Sequence, residues 1–141
     1  MTEFVFKVLT SIGFNHPLHP IATHIPMGMV MGMFLFGMAS YFFKNPELVK
    51  TAYHCAILAF IGMFPTILFG YMDWQHFYSG QWLLLIKIKI GLACVLMVLL
   101  AAFVVIGRKE STTPISRLIF YIFCMMTATG LGYCGGTLVY G

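Results

Sequence analysis

Charged side chains are what this 141-residue sequence has least of: eight Lys and Arg and four Asp and Glu, 9% in all, against roughly 25% in a soluble domain. With 60% of the residues hydrophobic, a soluble fold of this length cannot hide the apolar surface. The basic residues form no run long enough to hold nucleic acid. The four cysteines, Cys55, Cys94, Cys124 and Cys134, make no CxxC or CxxCH pattern, which argues against covalent haem c, zinc ribbons and a disulfide scaffold. The sequence also lacks a nucleophile–base motif, a phosphate loop and a carboxylate pair with room for a substrate, so a stand-alone enzyme is the least expected reading. The opening segment has neither a long apolar core nor an Ala-x-Ala site, and with Glu3 and Lys7 among Phe4, Val5, Phe6, Val8, Leu9 and Ile12 it reads as a short interfacial helix rather than a signal peptide.

What is present is four long apolar stretches, expected as spans at about residues 21–43, 46–71, 82–106 and 115–138. The fold class is therefore all-α: an integral membrane four-helix bundle filling one transmembrane domain, 1–141, with the bilayer as its first partner. Asn45, Pro46 and Glu47 read as N-cap, first-turn proline and first-turn acid of the second helix, and Thr113 and Pro114 as the start of the fourth. The aromatic stretch YMDWQHFYSGQW suits a membrane–water boundary before the third span. Four crossings put both termini at one face, called the first face. Lys44, Lys50, Arg108, Lys109 and Arg117 flank the loops of the opposite face, so the positive-inside rule predicts a multi-pass inner-membrane protein with both termini non-cytoplasmic. Lys87 and Lys89, early in the third span, are placed either to snorkel outward or to serve a site.

Four of the five histidines, His16, His19, His24 and His76, belong to the first-face end with Asp73 and Trp74. His54 does not: it differs from His24 in depth by roughly 20 Å, too far to share a metal in one chain. Ionisable groups at membrane depth point to function, and neutral imidazole suits haem iron, copper or the protons of a quinone. The alternative is hydrogen bonding to carbonyls freed by Pro17, Pro20 and Pro26. His24, Gly28 and Gly32 recur every four residues, as do Ala128, Gly132 and Gly136, and such strips either admit a flat ligand or pack bare helices closely. Met27, Met29, Met31 and Met33 offer thioethers to copper(I), or simply fill gaps.

HPLHPIATHIPMG near the start, GYMDW after the second span and GYCGGTLVYG at the end resemble the domain-of-unknown-function family 2231 of predicted bacterial membrane proteins. The resemblance runs from Asn15 onward and rests on His16, Pro17, His24, Pro26, Gly70, Asp73, Trp74, Gly135, Gly136, Leu138, Val139 and Tyr140. It implies a respiratory association, because relatives are often joined or adjacent to Rieske or cytochrome domains. Many relatives also have a histidine early in the third span. Lys87 and Lys89 stand there in this chain, which counts against a bis-histidine ligand set that uses that helix.

The preferred expectation is a small subunit of a membrane redox assembly that binds haem b or a quinone near the first face. His24 would be the primary ligand or contact, with His16, His19 or His76 as its partner and Asp73 orienting a histidine. Trp74 would border the cofactor, and Gly28, Gly32, Gly132 and Gly136 would make room for it. The rivals are a cofactor-free assembly subunit and a copper transporter. Redox subunits and a second copy of the chain are the protein partners that fit, and nucleic acid is not among them.

Overall fold

The computed structural model describes residues 2–107 and 112–140, with side chains described as far as Leu138. Five helices follow in order: α1 (Thr2–Ser11), α2 (His19–Phe43), α3 (Pro46–Phe77), α4 (Leu84–Ile106) and α5 (Pro114–Tyr140). The last four are long and apolar enough to cross a membrane. They close a ring in which α2 packs on α3 and α5, and α4 packs on α5 and α3, while α1 rests on α3 alone. This is the all-α four-helix bundle with a short N-terminal helix that the hydropathy pattern predicts.

Small side chains set the closest approach. Ala52, Ala56, Ala59 and Gly62 recur every three or four residues on α3 and are all buried, which lets α2 come close. A Cβ on Gly62 would sit 3.1 Å from Ile25 and 3.2 Å from the Pro26 ring. Three turns further along α2, Gly37 leaves the space filled by the ring of Tyr121, which also stacks edge-on with Phe103 of α4. The core between these contacts holds Val30, Met33, Met63, Leu96, Leu100, Cys124 and Ala128.

Helix ends follow local chemistry. Asn45 accepts the Glu47 N–H at 2.9 Å, and Pro46 supplies a preset first turn to α3. Asn45→Ala is expected to lower stability by about 1 kcal/mol, readable as a lower midpoint of thermal unfolding in detergent; an unchanged midpoint would mean that Pro46 alone starts the helix. The other end of α3 departs from the hydropathy reading. The helix continues to Phe77 instead of ending near residue 71, because nothing in YMDWQHF breaks it, and the chain turns only where Ser79 (φ 49°) and Gly80 (φ 69°) adopt left-handed backbone. At about 1.5 Å per residue, 32 residues make α3 about 48 Å long, well beyond the roughly 30 Å hydrocarbon layer. Asp73, Trp74 and His76 thus stand on helix in the boundary region, not in a turn. The other spans differ from the predicted bounds by one or two residues at their starts. Arg108 and Lys109, two of the residues behind the orientation reading, lie outside the described residues.

Candidate functional site

Two proline-punctuated helices meet at the first face, and an acid ties them. Leu18, the N-cap of α2, makes no side-chain cap of its own. Asp73 supplies one from α3: its Oδ1 accepts the Leu18 N–H at 3.0 Å and its Oδ2 the His19 N–H at 2.8 Å. The carboxylate, on a residue only 6% exposed, sits at the positive end of a 25-residue helix, where two orphan donors and the helix dipole both favour a negative charge. Asp73 therefore holds His19 through its backbone rather than its ring.

The tautomer of that histidine is fixed by its neighbour. His19 Nδ1 lies 2.9 Å from the carbonyl oxygen of Thr66, and since a carbonyl only accepts, Nδ1 must carry the proton. In neutral His19, Nε2 then keeps its lone pair, and it faces the Lys89 ammonium of α4 at 3.4 Å. One glycine makes the arrangement possible. A Cβ on Gly70 would come 2.8 Å from His19 Nδ1, so only glycine lets the ring lie against α3. A Cβ on Gly135 of α5 would lie 3.7 Å from Lys89 Nζ, and next to it Gly136 has nothing within 4 Å of its missing Cβ. His19, Thr66, Asp73, Lys89 and Gly135 thus gather one polar site from all four long helices.

One of the carbonyls that the prolines free, that of Ala22, is met by a threonine. Pro26 has no N–H for the Ala22 carbonyl, and the Thr66 hydroxyl lies 3.1 Å from that oxygen and 2.8 Å from Gly62 O, its single proton serving one at a time. No histidine takes that role there. Next to the site, Trp74 Nε1 donates to Gln81 O at 2.8 Å and its ring packs 4.6 Å from Trp82, closing the α3–α4 loop.

The remaining predicted residues are placed elsewhere. His24 is exposed, with Nδ1 2.7 Å from Pro20 O of its own helix. It lies five residues from His19, about 140° round the helix, so the two do not share a face. Gly28 is exposed with nothing near, whereas Gly32 packs on Cys55 Sγ and Gly132 on Met27 Cε. His16 is exposed and edge-on to Phe14 at 5.8 Å, and His76 faces α1. His54 is exposed near the opposite end of α3. Among the described residues no three His, Cys, Asp or Glu side chains gather to hold a metal ion. The methionines divide, Met33 buried in the core, Met31 half exposed, and Met38, Met125 and Met126 lining an outer groove between α2 and α5.

Of two further contributors, Thr66 carries no sequence signal that selects it, and Lys89 is marked by the sequence only together with Lys87, to snorkel or to serve a site. Lys89 falls on the buried stripe of α4 with Ile86, Leu96, Leu100 and Phe103, at spacings of three, four or seven, while Lys87 is exposed. Almost every residue of α4 is apolar, so that stripe stands out only once the bundle is formed.

The chain matches, over residues 15–141, the family described as predicted membrane protein (DUF2231), and it belongs to that family. No curated protein and no solved structure matches it. The helix α1 precedes the matched residues. Of the motif residues, Gly70, Asp73 and Gly135 meet at the site just described, and the side chains of Val139 and Tyr140 lie outside the described residues.

Proposed function

We propose that this member of the DUF2231 family is a small membrane subunit of a redox assembly and offers His19 and Lys89 to a quinone head group at the first face. The observation that supports this most directly is the fixed tautomer: one proton donor, the Lys89 ammonium, and one proton acceptor, His19 Nε2, stand 3.4 Å apart within the bundle. Conversion of a quinone to its quinol takes up two protons with two electrons, and both carbonyl oxygens need donors as charge builds on them. Lys89 can donate to one such oxygen and His19 can relay a proton behind it. The electrons come from partner subunits.

Binding of a soluble quinone analogue to the protein in nanodiscs tests the reading. Lys89→Met removes a charged donor worth about 1.5–3 kcal/mol, so affinity is expected to fall roughly tenfold or more. Equal affinity in wild type and Lys89→Met, or no binding by wild type, would reject it and favour a cofactor-free assembly subunit.

A b-type haem is the second reading, and His24 favours it. Its Nδ1 is committed to the Pro20 carbonyl, which leaves Nε2 as a free ligand atom on an exposed side chain one helical turn from the bare Gly28. When held by His24, haem would supply one-electron transfer. The absence of a Soret band from the purified protein would remove this reading.

A further inference from the structure

The helix outside the family match makes its own contact with the site end of α3. Phe6, the buried residue of α1, stacks on the imidazole of His76 with ring centroids 4.0 Å apart and planes 8° apart, and meets Phe77 edge-on at 5.5 Å. Glu3, one turn earlier, places a carboxylate oxygen 3.5 Å from His76 Nδ1. The opposite side of α1 carries Phe4 and Val8, exposed by 71% and 48%, and Ile12, in the turn just after the helix, follows four residues on, exposed by 74%. Among the described residues no other helix packs on that ridge.

We propose that α1 is an interfacial anchor: its Phe4–Val8–Ile12 ridge enters the lipid head-group boundary, and its Glu3–Phe6 face is latched to the bundle by His76, more tightly when His76 is protonated. Position favours lipid as the occupant. The last turns of α3, with Trp74 and Trp82 beside them, stand at the depth where aromatic rings mark the membrane–water boundary, and α1 rests on those turns.

The direction of the pH effect follows from the charged groups near His76. Glu3 on α1 attracts its protonated ring. Asp73, one turn earlier on α3, does so too, although its oxygens are engaged by the start of α2. Lys7 on α1, which borders the same cleft, opposes protonation and is exposed to solvent screening. α1 packs on no other helix. The latch is therefore stronger with His76 protonated than with it neutral, while the ring stack with Phe6 persists in both forms.

Hydrogen exchange of residues 2–11 in the full chain in nanodiscs, corrected for intrinsic rates, tests this at pH 6 and pH 8. Wild type is expected to be about two- to fivefold more protected at pH 6, the range of a partly exposed ion pair. His76→Phe keeps a stacking ring that cannot charge, so protection should become independent of pH, as it should in Glu3→Gln. Phe6→Ala and Val8→Asp should reduce protection at both pH values. Equal wild-type protection at pH 6 and pH 8, or a pH effect that survives in His76→Phe, would overturn the latch. Unchanged protection in Val8→Asp would overturn the lipid contact.

Discussion

Asp73→Ala is expected to destabilise the bundle by about 3 kcal/mol, the largest effect of any single side-chain truncation at the first face. Asp73 accepts two backbone N–H groups, those of Leu18 and His19, and both belong to the first turn of α2. Truncation leaves two donors unpaired near the membrane boundary, at about 1–3 kcal/mol each, and removes a negative charge from the positive end of a helix. Asp73→Asn retains one carbonyl acceptor and should lose about half as much. Reversible unfolding in mixed micelles gives the two values. A loss under about 0.5 kcal/mol in Asp73→Ala would show that water or lipid head groups cap α2 equally well, and the carboxylate would then need another explanation.

The same acid shows how far the sequence could be read. Four apolar stretches of membrane-spanning length are unambiguous because their hydropathy needs no knowledge of neighbours. The gathering of His19 and Asp73 at one end also follows, since antiparallel helices return to the same depth. What could not be read is which histidine faces inward. His19 continues the buried stripe of Pro26, Val30, Met33, Gly37 and Ser40 on α2, and His24 stands off it. With mostly apolar residues all round α2, the inward face leaves no hydrophobic contrast to find, and the spacing of His24 with Gly28 and Gly32 marks a strip that is exposed at its first two members and packs on α3 only at the third.

Partners were illegible for a related reason. The bond from His19 N–H to Asp73 spans 54 residues, and the one from its ring to Thr66 spans 47. Local patterns encode neither. The Gly-x-x-Asp-Trp motif has a plain physical meaning once the helices are packed: Gly70 admits the His19 ring, Asp73 holds its backbone one turn later, and Trp74 locks the loop that leads to Lys89. All three residues lie on one continuous helix, which explains their fixed spacing better than a turn does.

Gly70→Ala isolates the ring from the rest of the fold. The added Cβ would lie 2.8 Å from His19 Nδ1, closer than any real contact, so the imidazole must move off the Thr66 carbonyl and away from Lys89. Overpacking of this kind costs about 1–3 kcal/mol, partly offset by the better helix propensity of alanine. The sharper readout is nitrogen NMR of His19: wild type should show Nδ1 protonated and Nε2 not, whereas Gly70→Ala should show a mixture of tautomers. Gly28→Ala is the matched control, because a Cβ there meets nothing within 4 Å, and it should leave the His19 signals unchanged and stability equal or up to about 1 kcal/mol higher. If Gly28→Ala disturbs His19 and Gly70→Ala does not, the imidazole lies on the outer face of α2 after all. A proton donor and acceptor held together inside the bundle would then have no basis, and the exposed strip headed by His24 would become the place to look for a ligand.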